Sequence, residues 1–172
     1  MSDAPHTPVD FGTFVLSLGS SAFVHLGDAP HPETRKVETN LPDEITYKLV
    51  GAASEVLNLP AERILEAFGE HWVLHTAPNG YGAILDAAGH SLPEFLMNLN
   101  QMHTRVGMIF PDLKPPRFEC GEVTDRSMLL HHHTHRPGLG PMVKGLVIGL
   151  GKRFETPVRV EQIRDREKGA DH

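Results

Sequence analysis

The sequence predicts an α+β chain, mainly helical, with a small antiparallel sheet toward its C-terminal end. Three observations carry this. Apolar residues recur at spacings of three and four over residues 43–57 and again over 91–106, as on one face of a helix. That period gives way to strand character at 118–123 and 127–136, with a turn at Thr124-Asp125 between them. Helical spacing then returns over 142–154. With 172 residues, 40% of them hydrophobic and 22% charged, the chain can bury one real core and has the composition of an ordinary soluble domain.

Taken in order, Phe11, Phe14, Val15, Leu18, Ala22 and Leu26 lie at helical spacing, so 11–26 reads as a helix weakened by Gly12 and Gly19. This stretch falls short of the ~20 apolar residues that span a bilayer. Its leader MSDAPHTPVD is acidic and bears proline, unlike the basic start of a secretory signal. Proline and charge dominate GDAPHPETRKVETNLPDE, which reads as a linker ending near Pro42. The chain therefore divides into an atypical N-terminal helix and linker, 1–40, and a main domain, 41–172. The opening DFGTFVLSLGSSAFVHLGDAPHPETR resembles the start of a small uncharacterised bacterial domain family, which assigns no chemistry.

In the main domain, Tyr47, Leu49, Val50, Ala53, Val56 and Leu57 form an apolar stripe that stops at Asn58-Leu59-Pro60. Pro60 suits the start of a second short helix, 61–69, closing on Gly69. Pro78-Asn79-Gly80 predicts a turn, after which a helix runs over 84–88 to Gly89. Ser91 predicts an N-cap, with Pro93 in the first turn and Glu94 completing a capping box. The helix that follows carries Phe95, Leu96, Leu99, Met102, His103 and Val106, and Leu99 and His103, four apart, share a face. Pro115 and Pro116 in FPDLKPPRF forbid its continuation. Beyond the two strands and the helix 142–154, the alternation of 158–163 predicts a further half-buried strand.

Composition excludes several functions. The formal charge is −6 and the basic residues are scattered, so nucleic acid is not an expected partner. A single cysteine, Cys120, rules out an internal disulfide and fits a reducing cytoplasm, although it can react as a free thiol. The chain carries no Gly-rich phosphate loop, Cys pair or nucleophile motif.

Two histidine features call for explanation. A histidine on an apolar helix face, such as His103, is either a core residue satisfied by a carbonyl or water, or a ligand. The segment LLHHHTHRPGL holds four of the twelve histidines. On a strand, His131, His133 and His135 share one face, and His132, Thr134 and Arg136 the other. Three imidazoles could join a zinc or copper site, but same-face neighbours lie ~7 Å apart and the segment has no flanking carboxylate, so a solvated face is the simpler reading. The second face sets a hydroxyl beside a guanidinium and suits a carboxylate or phosphate; a structural Arg–Asp pair is the alternative.

The segments TYKLVGAASEVLNLPAERILEAFG, GYGAILDAAG, LPEFLMNLNQMH, FPDLKPPRFEC, HHTHRPGL and MVKGLVIGL, in that order between Leu41 and Asp171, resemble the haem nitric-oxide/oxygen binding (H-NOX) family. That family supplies the sensor domain of soluble guanylate cyclases and of bacterial relatives. The resemblance implies haem b, with His103 as the proximal iron ligand. The family's propionate-binding Tyr-x-Ser-x-Arg falls on His132, Thr134 and Arg136; Thr134 keeps the hydroxyl, while His132 departs from tyrosine. Asp43 stands at the position of the arginine's carboxylate partner, and Pro116 at that of the proline that presses on the haem ring. Leu99 would line the ligand's side of the pocket. Oxygen-binding members carry a distal tyrosine where this chain has Met142, with Leu146 one turn later, so the resemblance implies NO and CO binding without a stable oxygen complex.

The implied role is a sensor and not an enzyme. NO would loosen the bond between iron and His103, relax the haem against Pro116 and move the His103 helix against a separate partner. That partner would be a histidine kinase, a cyclic-dinucleotide enzyme or a chemotaxis receptor in a bacterial cytoplasm. The family's first distal helices have no counterpart in 1–40, and its last strand would lie beyond GADH. Two other readings stand beside this one: an H-NOX-like protein-interaction module that has lost or weakly retains haem, and a metal-dependent enzyme built on the histidine cluster.

Overall fold

The computed structural model describes residues 22–23, 38–39, 43–109, 115–134 and 136–163. Strand β1 (Ala22–Phe23) pairs antiparallel with β2 (Glu38–Thr39), Ala22 opposite Thr39. These two residues overturn part of the helix expected over 11–26, because pairing with β2 there replaces the bonds of a helix that Gly12 and Gly19 already weaken in the sequence. The rest of that helix lies outside the described residues.

Helix α1 (Asp43–Leu57) forms where the stripe places it and ends at Asn58, whose φ of 52° is a left-handed conformation that asparagine tolerates. Its buried face is narrower than expected. Thr46 and Val50 are buried and Ala53 packs beside them, but Val56 is 81% exposed and Leu57 43%.

Helix α2 (Ala61–His71) does not close on Gly69. It continues through one turn of wider π-helical geometry (Trp72–Thr76) into α3 (Ala77–Asp86). The turn expected at Pro78-Asn79-Gly80 is absent for the same reason. Pro78 sits at the start of α3, which follows directly on the π turn, and the chain leaves helical geometry only locally, at Tyr81 (φ −133°, ψ 16°). Gly69 serves packing instead. A Cβ there would strike the Met142 carbonyl of α6 (Gly140–Arg153), and one at Gly145 would strike the Glu66 carbonyl. A Cβ at Gly149 would come within 3.0 Å of the Glu70 carbonyl oxygen. The three glycines let α2 and α6 meet backbone to backbone, flanked by the ion pairs Lys144–Glu66 and Lys152–Glu70.

Ser91 caps α4 (Leu92–Met97), its Oγ accepting from the Glu94 N–H at 3.4 Å. The Glu94 carboxylate reaches back to the His90 N–H at 2.9 Å, one residue earlier than a capping box would take it. The single helix expected to carry His103 is two helices, because Asn98 (φ −92°, ψ 1°) breaks it. Its side-chain amide donates to the Ala88 carbonyl at 2.9 Å, and α5 (Leu99–Ile109) starts anew.

Strands β3 (Arg117–Gly121) and β4 (Leu129–His133) form the antiparallel pair, with Phe118 opposite His132 and Glu119 opposite His131. Both are shorter than the sequence suggests. At the turn, Thr124 Oγ1 accepts from the Arg126 and Ser127 N–H groups, and β4 stops at His133 rather than Arg136. Residues 158–163 join no ladder among the described residues. Their alternation is nevertheless visible in exposure, since Val158 and Val160 are half-buried while Arg159 and Glu161 face out.

The larger apolar cluster gathers Val73, Ala77, Leu85, Leu92, Phe95, Leu96, Leu99, Phe118 and Leu150. A smaller one holds Val50, Ile64, Leu65, Phe68 and Leu139, and Trp72 packs on both. The His103 helix is thus anchored in the larger cluster by Leu99, with Met102 packed against it, and runs alongside the start of β3.

Candidate functional site

Helix α5 carries His103 against Pro116, with Nδ1 3.2 Å from the Pro116 carbonyl oxygen. A carbonyl only accepts, so Nδ1 holds the proton and donates it, leaving the Nε2 lone pair for a ligand-type role. Burial pushes the imidazole below its usual pKa, and the Pro116 carbonyl opposes this more weakly, so the neutral ring is favoured. His103 and Pro116 line one cleft of about 420 Å³ together with Asn100, Thr104, Gly107, Pro115 and Arg117.

The other residues singled out in the sequence lie around this centre and do not line that cleft. The His132 ring stacks on Phe118 at 5.1 Å between centroids, and Phe118 in turn lies 5.8 Å from the His103 ring. Thr134 and Arg136 are not placed by strand alternation, since β4 has ended. Instead Thr134 Oγ1 accepts from the Arg136 N–H at 3.1 Å and shapes the turn that carries the arginine. The Arg136 side chain is only 7% exposed and donates through Nη2 to Thr46 Oγ1 at 3.2 Å. Tyr47 adds a second tie from α1, its hydroxyl donating to the Pro137 carbonyl at 2.8 Å. The side chain of Asp43 lies outside the described residues. Met142 packs on the smaller apolar cluster, Leu146 on the larger, and Leu99 is buried within the larger.

On the opposite face of β4, His131 and His133 stack at 6.4 Å. The carboxylate missing from their own segment comes from the neighbouring strand: Glu119 Oε2 lies 3.6 Å from His133 Nε2. Among the described residues, no three His, Cys, Asp or Glu side chains gather as a metal ion requires. His135 is outside the described residues. Cys120 is half-buried, and burial pushes its thiol up, toward the unreactive protonated form. Sequence reasoning missed Asn100, Phe118 and Thr46, which hold the site through side-chain hydrogen bonds or ring contacts that leave no periodic trace.

A family model for haem-NO-binding domains matches residues 28–162. The chain belongs to this haem-NO-binding (H-NOX) family. The Caenorhabditis elegans soluble guanylate cyclases gcy-35 and gcy-37 are 30% identical over 128 residues and 33% over 132, each match covering 73% of this chain and 19% of the relative. The beta-2 subunit of Rattus norvegicus soluble guanylate cyclase is 33% identical over 93 residues, 54% of this chain and 14% of its own. The chain therefore spans about a fifth or less of the length of these relatives. Among solved structures, an H-NOX protein from S. oneidensis in the Fe(II)NO ligation state aligns with a TM-score of 0.69 at 18% identity, over 83% of this chain and 79% of its own. An oxygen-binding H-NOX domain related to soluble guanylate cyclases, in its oxygen complex, aligns at 0.64 and 21%, over 80% and 72%. This chain shares their H-NOX fold, which among its described residues is mostly helical with small two-stranded antiparallel sheets. Domains of this family bind haem and act as sensors without being catalytic themselves. No helix among the described residues is long and apolar enough to cross a membrane.

Proposed function

We propose that this H-NOX chain binds haem b through His103 and senses NO and CO, passing the signal to a separate protein. One observation carries the reading: His103 is a neutral, half-buried imidazole whose Nδ1–H is fixed on the Pro116 carbonyl, which leaves Nε2 as a preset iron donor. The donor chemistry therefore fits haem. Bound haem iron would supply an open coordination position for a diatomic gas.

The chain's own residues account for the rest. Arg136, held in the interior by Thr46, supplies a guanidinium for the propionates, with Thr134 and His132 beside it. Pro116 offers a rigid ring next to the ligand. Leu99, Met142 and Leu146 bring apolar surface, and Met142 and Leu146 offer no donor to a polar oxygen adduct, which favours NO and CO over stable oxygen binding. The output would be a shift in the population of α5 positions, read by a partner that contacts one position better than the other. A histidine kinase, a cyclic-dinucleotide enzyme and a chemotaxis receptor are the partner classes this reading admits.

The test is spectroscopic. Purified chain reconstituted with haem should show the ferrous Soret band of a five-coordinate histidine complex, and His103→Ala should abolish that band until free imidazole is added. Absence of the band in the unaltered chain, with no change on His103→Ala, overturns the reading.

A further inference from the structure

The cleft wall beside His103 contains a polar contact that the sensor reading does not use. Asn100 sits three residues before His103 on α5, and its side-chain amide grips the backbone of Phe118 at both ends. Nδ2 donates to the Phe118 carbonyl, and Oδ1 accepts from the Phe118 N–H at 2.9 Å. A primary amide presents one acceptor and donors in the geometry of a peptide group, so Asn100 completes the ladder of β3 for one residue as a neighbouring strand would. The N–H and C=O of one strand residue point to the same edge. Phe118 therefore directs both away from β4, and its pair with His132 is the close, non-hydrogen-bonded kind, consistent with the stacked rings.

Two residues before Phe118 stands Pro116, the acceptor for His103 Nδ1. Helix α5 is thus fastened to the start of β3 by two rungs, Asn100 to Phe118 and His103 to Pro116. The lower rung has two bonds and no freedom to slide. The upper has one bond, on a proline that offers no N–H of its own.

We propose that Asn100 is the positioning residue of the site: its two-point grip on Phe118 sets the height of α5 against β3, and so holds His103 Nδ1 on the Pro116 carbonyl. The inference rests on the reading of His103 as the iron ligand only for its functional consequence. The geometry it describes belongs to the chain itself. With the grip removed, α5 is free to turn, the Nδ1 bond lengthens, and the ring loses the contact that selects its tautomer and raises the donor strength of Nε2.

The experiment compares the full chain with Asn100→Ala, Asn100→Asp and Asn98→Ala. Asn98 also bonds a backbone carbonyl through its amide, that of Ala88, and not the Phe118 backbone, so it controls for loss of a structural bond beside the same helix. Nitrogen-15 NMR reads the His103 tautomer without haem, and resonance Raman reads the iron–histidine stretch with haem. In the unaltered chain and in Asn98→Ala the ring is expected in the Nδ1–H form. Asn100→Ala is expected to give a mixture of tautomers, a lower stretching frequency and roughly a 10-fold loss of haem affinity. Asn100→Asp keeps the bond from the Phe118 N–H but sets a carboxylate against the Phe118 carbonyl, so it should fall between. It also serves if the alanine variant does not fold. An unchanged tautomer in folded Asn100→Ala, or in Asn100→Asp where that is the folded variant, overturns the proposal, as does an equal change in Asn98→Ala. Failure of the unaltered chain to take up haem would overturn the sensor reading and leave the tautomer result to decide this one.

Discussion

At the scale of single residues, replacing one side chain tests a specific role. Met142, packed on the smaller apolar cluster, is one such residue. If it stands beside the bound gas, Met142→Tyr introduces a hydroxyl donor, and the ferrous haem complex should then hold oxygen long enough to record its spectrum in air, which the unaltered chain should not. His71 gives a different kind of test. Its ring lies 4.6 Å from that of His75, and burial, then the charge of His75, push its pKa down. A histidine with a lowered folded pKa binds fewer protons than its unfolded counterpart. The stability that follows is complete above the ordinary value of about 6.5 and is lost as pH falls from there to the lowered folded value. Urea midpoints measured at neutral and mildly acidic pH should therefore drop on acidification, and the drop should shrink in His71→Gln. An unchanged slope would remove His71 as a cause.

Among the elements, the contact between α2 and α6 is the least forgiving. The clash that a Cβ at Gly145 would make is with the Glu66 carbonyl, which is backbone and cannot swing aside as a side-chain tip can. Gly145→Ala should cost about 3 kcal/mol, at the upper end for overpacked interiors, whereas Gly82→Ala, with open space around it, should be neutral or stabilising. Thermal or denaturant unfolding of the two variants checks this. Here too lies the difference between what sequence can and cannot tell. The apolar periods of α1 and α6 and the cap that starts α4 are local signals, and the structure has helices at each of these places. Gly69 and Pro78-Asn79-Gly80 carry equally strong local signals to stop, yet the chain runs on through both. Gly69 answers to a helix that passes it more than seventy residues later in the chain, and Pro78 lies just past a π turn that no local signal announces. The split at Asn98 follows from a bond to the Ala88 carbonyl and has no signature in the apolar spacing.

For the whole molecule, the resemblance between sequence segments names the family and the general fold, because the segments keep the family's order from Leu41 onward. It did not supply the ties that hold the site: Thr46 to Arg136, Tyr47 to the Pro137 carbonyl, and Asn100 to Phe118 join residues far apart in the chain. The tie from Tyr47 reaches from α1 to the turn that carries Arg136, so Tyr47→Phe should lower stability by about 1 kcal/mol and weaken haem retention with it. Haem itself should act as a stabilising ligand. At a free concentration a hundredfold above its dissociation constant it adds about 2.7 kcal/mol, which calorimetry would register as a rise of several degrees in Tm. That rise should be much reduced in His103→Ala and in Arg136→Met.

The break at Asn98 divides the labour between two short helices. Leu92, Phe95 and Leu96 of α4 are buried in the larger cluster, whereas beyond Leu99 the inward residues of α5, Met102, His103 and Val106, are only half-buried. Few apolar contacts mean low local stability, so in the haem-free chain the amide hydrogens of α5 should exchange with solvent well before those of α4. Adding haem should slow exchange chiefly in α5. If His103 holds the iron as proposed, the helix that reports on the cofactor would also be the helix that owes its order to it, so a chain short of haem would have its message already erased.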